Sequence, residues 1–137
     1  MKLRMASGVA ALAVAAPICA DELQGANSLL CSAVEATVCD ADGECASGPS
    51  WDWNIPQFIE IDLKKGVIAT TKASGEDRTT PIRNQERSDG RIILQGFEMG
   101  RAFSFVINEK SGIASVAIAT NELTISVFAA CTPLVRR

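Results

Sequence analysis

Phe58-Ile59-Glu60-Ile61-Asp62-Leu63 decides the fold class. The apolar side chains of Ile59, Ile61 and Leu63 alternate with the carboxylates of Glu60 and Asp62. A period of two puts the aliphatic groups on one side of an extended chain and the charges on the other, which predicts a half-buried strand. The rhythm continues downstream. Lys64-Lys65-Gly66 reads as a turn and Val67 to Thr71 as a returning strand. Lys72 to Thr80 reads as a polar loop ending at Pro81. Ile82 to Arg87 is a polar strand suited to a sheet edge or barrel rim. Ser88-Asp89-Gly90 is a tight hairpin signal before Arg91 to Gln95. Gly96 and Gly100 bracket a further turn. Phe103, Phe105 and Ile107 then alternate with Ser104 and Val106, and Asn108 to Gly112 turns the chain. Ile113 to Ala119 and Leu123 to Ala130 form a last hairpin around Thr120-Asn121-Glu122.

Upstream of this region the pattern is less regular. Leu29 to Cys39 contains Val34, Thr37 and Val38 and reads as a strand. A helix competes over Ser28 to Val38, because Leu30, Ala33, Val34 and Val38 have helical spacing. Asp40 to Trp53 is rich in Gly, Ser and Asp and reads as a loop. The whole predicts an all-β domain, an antiparallel meander of about eight strands. Closing a meander of this length into a small barrel hides its strand edges, and an open two-layer sandwich is the alternative. Phe58, Phe97, Phe103, Phe105 and Phe128 are expected in the core.

The chain opens with basic Met1-Lys2-Leu3-Arg4, followed by an uncharged apolar run from Met5 to Ile18. The run is shorter than the roughly 20 residues that span a bilayer as a helix. A basic start, a short apolar stretch and small Ala20 before acidic Asp21-Glu22 describe a secretory signal peptide over residues 1–20. A buried N-terminal helix is the competing reading, but it would lack any polar face. Ile18 is large for its place three residues before the cut. Ile18 also stands where a lipoprotein signal wants a small residue before cysteine, so Cys19 falls in the discarded peptide. Residues 21–137 then form a single β domain, periplasmic or secreted, with no stable membrane insertion after cleavage.

Of the 5 cysteines, 4 remain after processing: Cys31, Cys39, Cys45 and Cys131. An even set in an exported domain predicts two disulfides. Three pairings exist. The favoured one joins Cys39 to Cys45 across a short loop and Cys31 to Cys131 across nearly the whole domain. In the chain-entropy view the longer bridge contributes on the order of 4–5 kcal/mol before strain. A zinc site is the competing reading. It is disfavoured by the lack of a close Cys-x-x-Cys pair and by the oxidising compartment.

Acids outnumber bases, 16 to 13, and the chain contains no histidine and no tyrosine. A mildly acidic chain with scattered charges is not a nucleic-acid binder. Without histidine, Ser-His-Asp and Cys-His catalysis are excluded, as are histidine-ligated metal and haem sites. General acid–base chemistry would fall on carboxylates or lysines.

Three clusters are candidates for function. Trp51-Asp52-Trp53 sits in a loop, where two indoles and a carboxylate could form a platform for a sugar, peptide or cation. Against that stands the ordinary role of tryptophan as a plug for a barrel end. Asp40-Ala41-Asp42-Gly43-Glu44 spaces its oxygens like a calcium loop but lacks that loop's third acid and distant glutamate, so a solvated turn is expected. Arg78, Arg83, Arg87, Arg91 and Arg101 are interleaved with acids. Arg83, Arg87 and Arg91 could line an anion-binding surface, but ion pairs on a solvated face are the expected outcome.

Several phrases together resemble a group of short exported bacterial proteins of unknown function. They are Trp53-Asn54-Ile55-Pro56-Gln57-Phe58-Ile59-Glu60-Ile61-Asp62, Asp89-Gly90-Arg91 with Leu94-Gln95-Gly96, Gly100-Arg101-Ala102-Phe103-Ser104, and Ala130-Cys131-Thr132-Pro133. The resemblance implies an exported β-rich domain and carries no catalytic residues. The architecture is also similar to lipocalin-like carriers and periplasmic lysozyme inhibitors, at the level of fold alone. The functional expectation is a non-catalytic binding or protein-interaction module without cofactor or metal. Its partner would be a periplasmic protein or a small ligand. The alternatives are a carrier with a small apolar ligand inside the barrel and, less favoured, a carboxylate-based hydrolase.

Overall fold

The computed structural model describes Leu12 and residues 23–135. The expected signal peptide, residues 1–20, lies outside the described residues apart from Leu12. The alternating segments form ten strands: β1 (Ser28–Asp40), β2 (Cys45–Gly48), β3 (Phe58–Asp62), β4 (Val67–Thr70), β5 (Thr79–Pro81), β6 (Asn84–Ser88), β7 (Arg91–Glu98), β8 (Arg101–Asn108), β9 (Ile113–Ala119) and β10 (Leu123–Pro133). They pair antiparallel in one curled sheet of order β5-β4-β3-β1-β10-β9-β8-β7-β6, with β2 beside β1. The two strands beyond the expected eight are short. Cys45–Gly48 pairs back on β1 inside the expected loop, and Thr79–Pro81 pairs with β4.

β1 and β10 are central neighbours, paired from Leu29↔Pro133 to Asp40↔Leu123. The helix-like spacing of Leu30, Ala33, Val34 and Val38 does not mark one buried face, since of these four only Val38 is buried. Leu29 and Cys31 are buried, and so are Ala36 and Val38, yet the two sets differ in parity. The register shifts between Ala33 and Glu35, and Val34 bulges out to solvent. A bulge adds one residue and restores both sets to the same face. It also divides β1 between two partners: Ser28–Ser32 pairs with β3 and Ala36–Cys39 with β2. Cys31 and Cys131 face each other in register and are bonded, with Cα atoms 4.0 Å apart. Cys39 and Cys45 are likewise opposed and bonded.

The barrel does not close. β5 pairs with β4 and β6 with β7, leaving a seam between the two edge strands. Those edges are consecutive in the chain. Between them the Ile82 N–H donates to Gly66 O and the Arg83 N–H to Gln95 O, so the link is tied to both flanks without a strand ladder. Pro81 has no N–H to offer, and β5 is three residues long, too short to carry a continuous ladder. Gly96 lies inside β7 rather than at a turn. A Cβ there would meet the Phe103 ring at 2.7 Å and the Pro81 carbonyl at 3.0 Å, so only glycine admits that close approach. The turn itself is Met99-Gly100, both with positive φ.

The concave face carries the core: Ile61, Ile92, Leu94, Ile107, Ile125 and Val127 among others. Phe105 is buried and Phe103 half-buried, but Phe58, Phe97 and Phe128 are exposed, against expectation. In β10, Ile125, Val127, Ala129 and Cys131 all point inward, so period-two geometry leaves Phe128 outside despite its size.

One end of the half-barrel is sealed. Leu23 is fully buried there and its N–H donates to Glu109 O. Arg87 pairs with Glu109 at 2.6 Å, and its Nη1 and Nη2 donate to Ala26 O and Leu23 O, each at 2.7 Å. The N-terminal segment is thus clamped across the opening. No helix among the described residues is long and apolar enough to cross a membrane.

Candidate functional site

The other end is built differently. Thr70, at the end of β4, accepts the Arg78 N–H on its Oγ1 at 3.0 Å and donates from the same hydroxyl to Glu76 O. Its own N–H donates to Arg78 O. These bonds stitch the loop 71–78 down and aim Arg78 across the opening. The Arg78 guanidinium grips Glu98 with two parallel bonds, Nε to Oε1 at 3.2 Å and Nη2 to Oε2 at 3.1 Å. This fork is the geometry that arginine holds best. Its Nη1 donates to Asn54 O and lies 3.7 Å from the Glu76 carboxylate.

Arg101 stands opposite Glu98 across the β7–β8 hairpin. Both Glu98 oxygens are engaged by Arg78, and Arg101 turns instead to backbone carbonyls, Trp53 O at 3.2 Å and Asn54 O at 3.4 Å. Those carbonyls are presented by a 3₁₀ turn over Ser50–Trp53, which ends on Asn54 in the left-handed region at φ 55. Asparagine tolerates that conformation better than most residues.

Beneath this rim lies a cavity of about 100 Å³. Its walls are apolar and include Ile59, Ile68, Phe103, Phe105, Val116 and Val127, while Arg78, Glu98 and Arg101 line it at the rim. Phe103 and Phe105 meet edge to face with centroids 5.6 Å apart. A water needs several polar partners, so a space of this lining favours an apolar occupant. A wider depression on the outer sheet face is lined by Arg83, Phe97, Ala102, Ser104, Ala117 and Thr124.

The residues singled out in the sequence are dispersed. Trp51 is 59% exposed and Asp52 is also exposed, whereas Trp53 is half-buried against the core beside Gly48. The two indoles therefore occupy different environments, and this loop meets the cavity rim through its backbone carbonyls. In the acidic turn, Asp40 Oδ1 accepts the N–H groups of Asp42 and Glu44, so the carboxylate folds its own loop. Arg83, Arg87 and Arg91 do not line one surface. Arg83 lies over the Phe97 ring at 5.0 Å, Arg87 clamps the sealed end, and exposed Arg91 reaches Asp89 at 3.9 Å. The sequence alone places Arg78 and Arg101 among arginines expected in solvated ion pairs and does not bring them, with Glu98, to one rim. The only local signal was the hairpin that sets Glu98 opposite Arg101.

The chain matches no known protein family and no curated protein.

Proposed function

We propose that this chain is an exported, non-catalytic binding protein that takes a small apolar group into the open end of its half-barrel. One observation carries the reading: an apolar cavity lies beneath a charged rim at one end, while the other end is clamped shut. Ligand pockets combine such apolar walls with a few placed polar groups. Two disulfides suit an oxidising compartment, which supports the periplasm or the exterior as the place of action. Glu98 is engaged at both oxygens by Arg78, which argues against its use as a hydrolytic acid or base.

Titration with 1-hexanol, followed by amide and methyl NMR shifts, tests the proposal. Shifts centred on Ile59, Ile68 and Val116, abolished by the filling substitution Val116→Phe, are expected. Shifts scattered over the surface, with nothing co-purifying from the native compartment in native mass spectrometry, would overturn it. A second reading, a protein-interaction module, draws on the exposed indole of Trp51. Loss of a captured periplasmic partner in Trp51→Ala would favour that reading.

A further inference from the structure

Among the described residues, one cation at the rim has no carboxylate partner at short range. A guanidinium has five N–H donors. Arg78 spends its fork on Glu98 and has Glu76 on its far side. Arg101 has two donor contacts, both to neutral carbonyls, at 3.2 and 3.4 Å. Among the described residues no carboxylate comes within ion-pair distance of it. It is half-buried and borders the apolar cavity. A cation held against low-dielectric walls loses hydration and is stabilised by an anion that completes its hydrogen bonds.

We infer that the ligand is an amphipathic acid whose short acyl chain fills the cavity and whose carboxylate sits on Arg101. This inference rests on the pocket reading above and adds the headgroup to it. The chain length follows from the space. A cavity of about 150 Å³ accommodates benzene, so the roughly 100 Å³ here suits on the order of six carbons or fewer. Arg78 plays a different part. By occupying Glu98 it keeps the carboxylate that faces Arg101 across the hairpin from neutralising it.

The test compares three probes of equal chain length on the intact oxidised protein by calorimetry: hexanoate, 1-hexanol and hexylammonium. Hexanoate is expected to bind roughly 10-fold or more tightly than hexanol, the worth of a charge-assisted hydrogen bond, with hexylammonium weakest. In Arg101→Gln the hexanoate advantage is expected to vanish while hexanol binding persists, which also shows that the variant is folded. Arg101→Lys is expected to restore part of the advantage. In the unsubstituted protein, added salt is expected to weaken hexanoate and leave hexanol unchanged. If hexanol binds in the cavity and hexanoate binds no better, the headgroup inference is overturned and the pocket reading stands. If neither binds, both fall.

Discussion

The two ends of the half-barrel hold the same chemistry and use it oppositely. Each has a partly shielded arginine–glutamate pair, with side-chain exposures of 27% and 12% for Arg87–Glu109 and 20% and 26% for Arg78–Glu98. At the sealed end the spare donors of Arg87 reach back to Leu23 and Ala26, and an apolar side chain fills the space behind them. At the open end the spare donor of Arg78 reaches Asn54, a second arginine stands beside it, and no side chain among the described residues fills the space beneath. An ion pair by itself therefore does not make a site. Whether the chain supplies an apolar plug decides whether the pair seals a core or frames a pocket.

The contrast is easiest to break at Leu23. Leu23→Ala removes the plug and is expected to cost about 3 kcal/mol in urea denaturation, as buried leucine truncations do. Arg87→Met comes next. It strands Glu109 and two carbonyls, and it is expected to cost about 2 kcal/mol, less than a fully buried pair because Arg87 is partly solvated. Hydrogen exchange at Leu23 and Ala26 should accelerate along with it. Arg78→Met is expected to cost about 1 kcal/mol, since Glu98 at the rim regains water more readily than Glu109. A cost equal to that of Arg87→Met would erase the distinction between the ends. Trp51→Ala is expected to stay within about 0.5 kcal/mol of the parent, as for an exposed side chain with few contacts.

Much of the sheet was legible because alternation is local. Ile59 and Ile61 in β3 with Leu63 just beyond it, and Phe103, Phe105 and Ile107 in β8, share the inner face as their period requires. The hairpin at Asp89-Gly90 follows from the residues that tolerate positive φ there. Legibility failed where geometry departed from the simple period. The bulge at Val34 reverses parity within β1, so no single alternation runs along it. β2 and β5 are three or four residues long, with Cys-Ala-Ser-Gly and Thr-Thr-Pro offering no apolar rhythm. Expecting Phe97 and Phe128 inside gave hydrophobic size precedence over strand parity, and parity prevailed.

The sequence by itself determined the β class, the hairpin order, the four cysteines beyond residue 20 and the lack of histidine chemistry. Each is a matter of composition or of neighbours a few residues apart. Only the tertiary structure decided which charges meet and where the space is left. Arg78 and Glu98 are 20 residues apart, Arg101 and Trp53 are 48 apart, and Arg87 and Leu23 are 64 apart. Hydrogen bonds demand placement to within tenths of an ångström. That placement comes from the twist and curl of the whole sheet, to which every strand contributes and which no short stretch of sequence specifies.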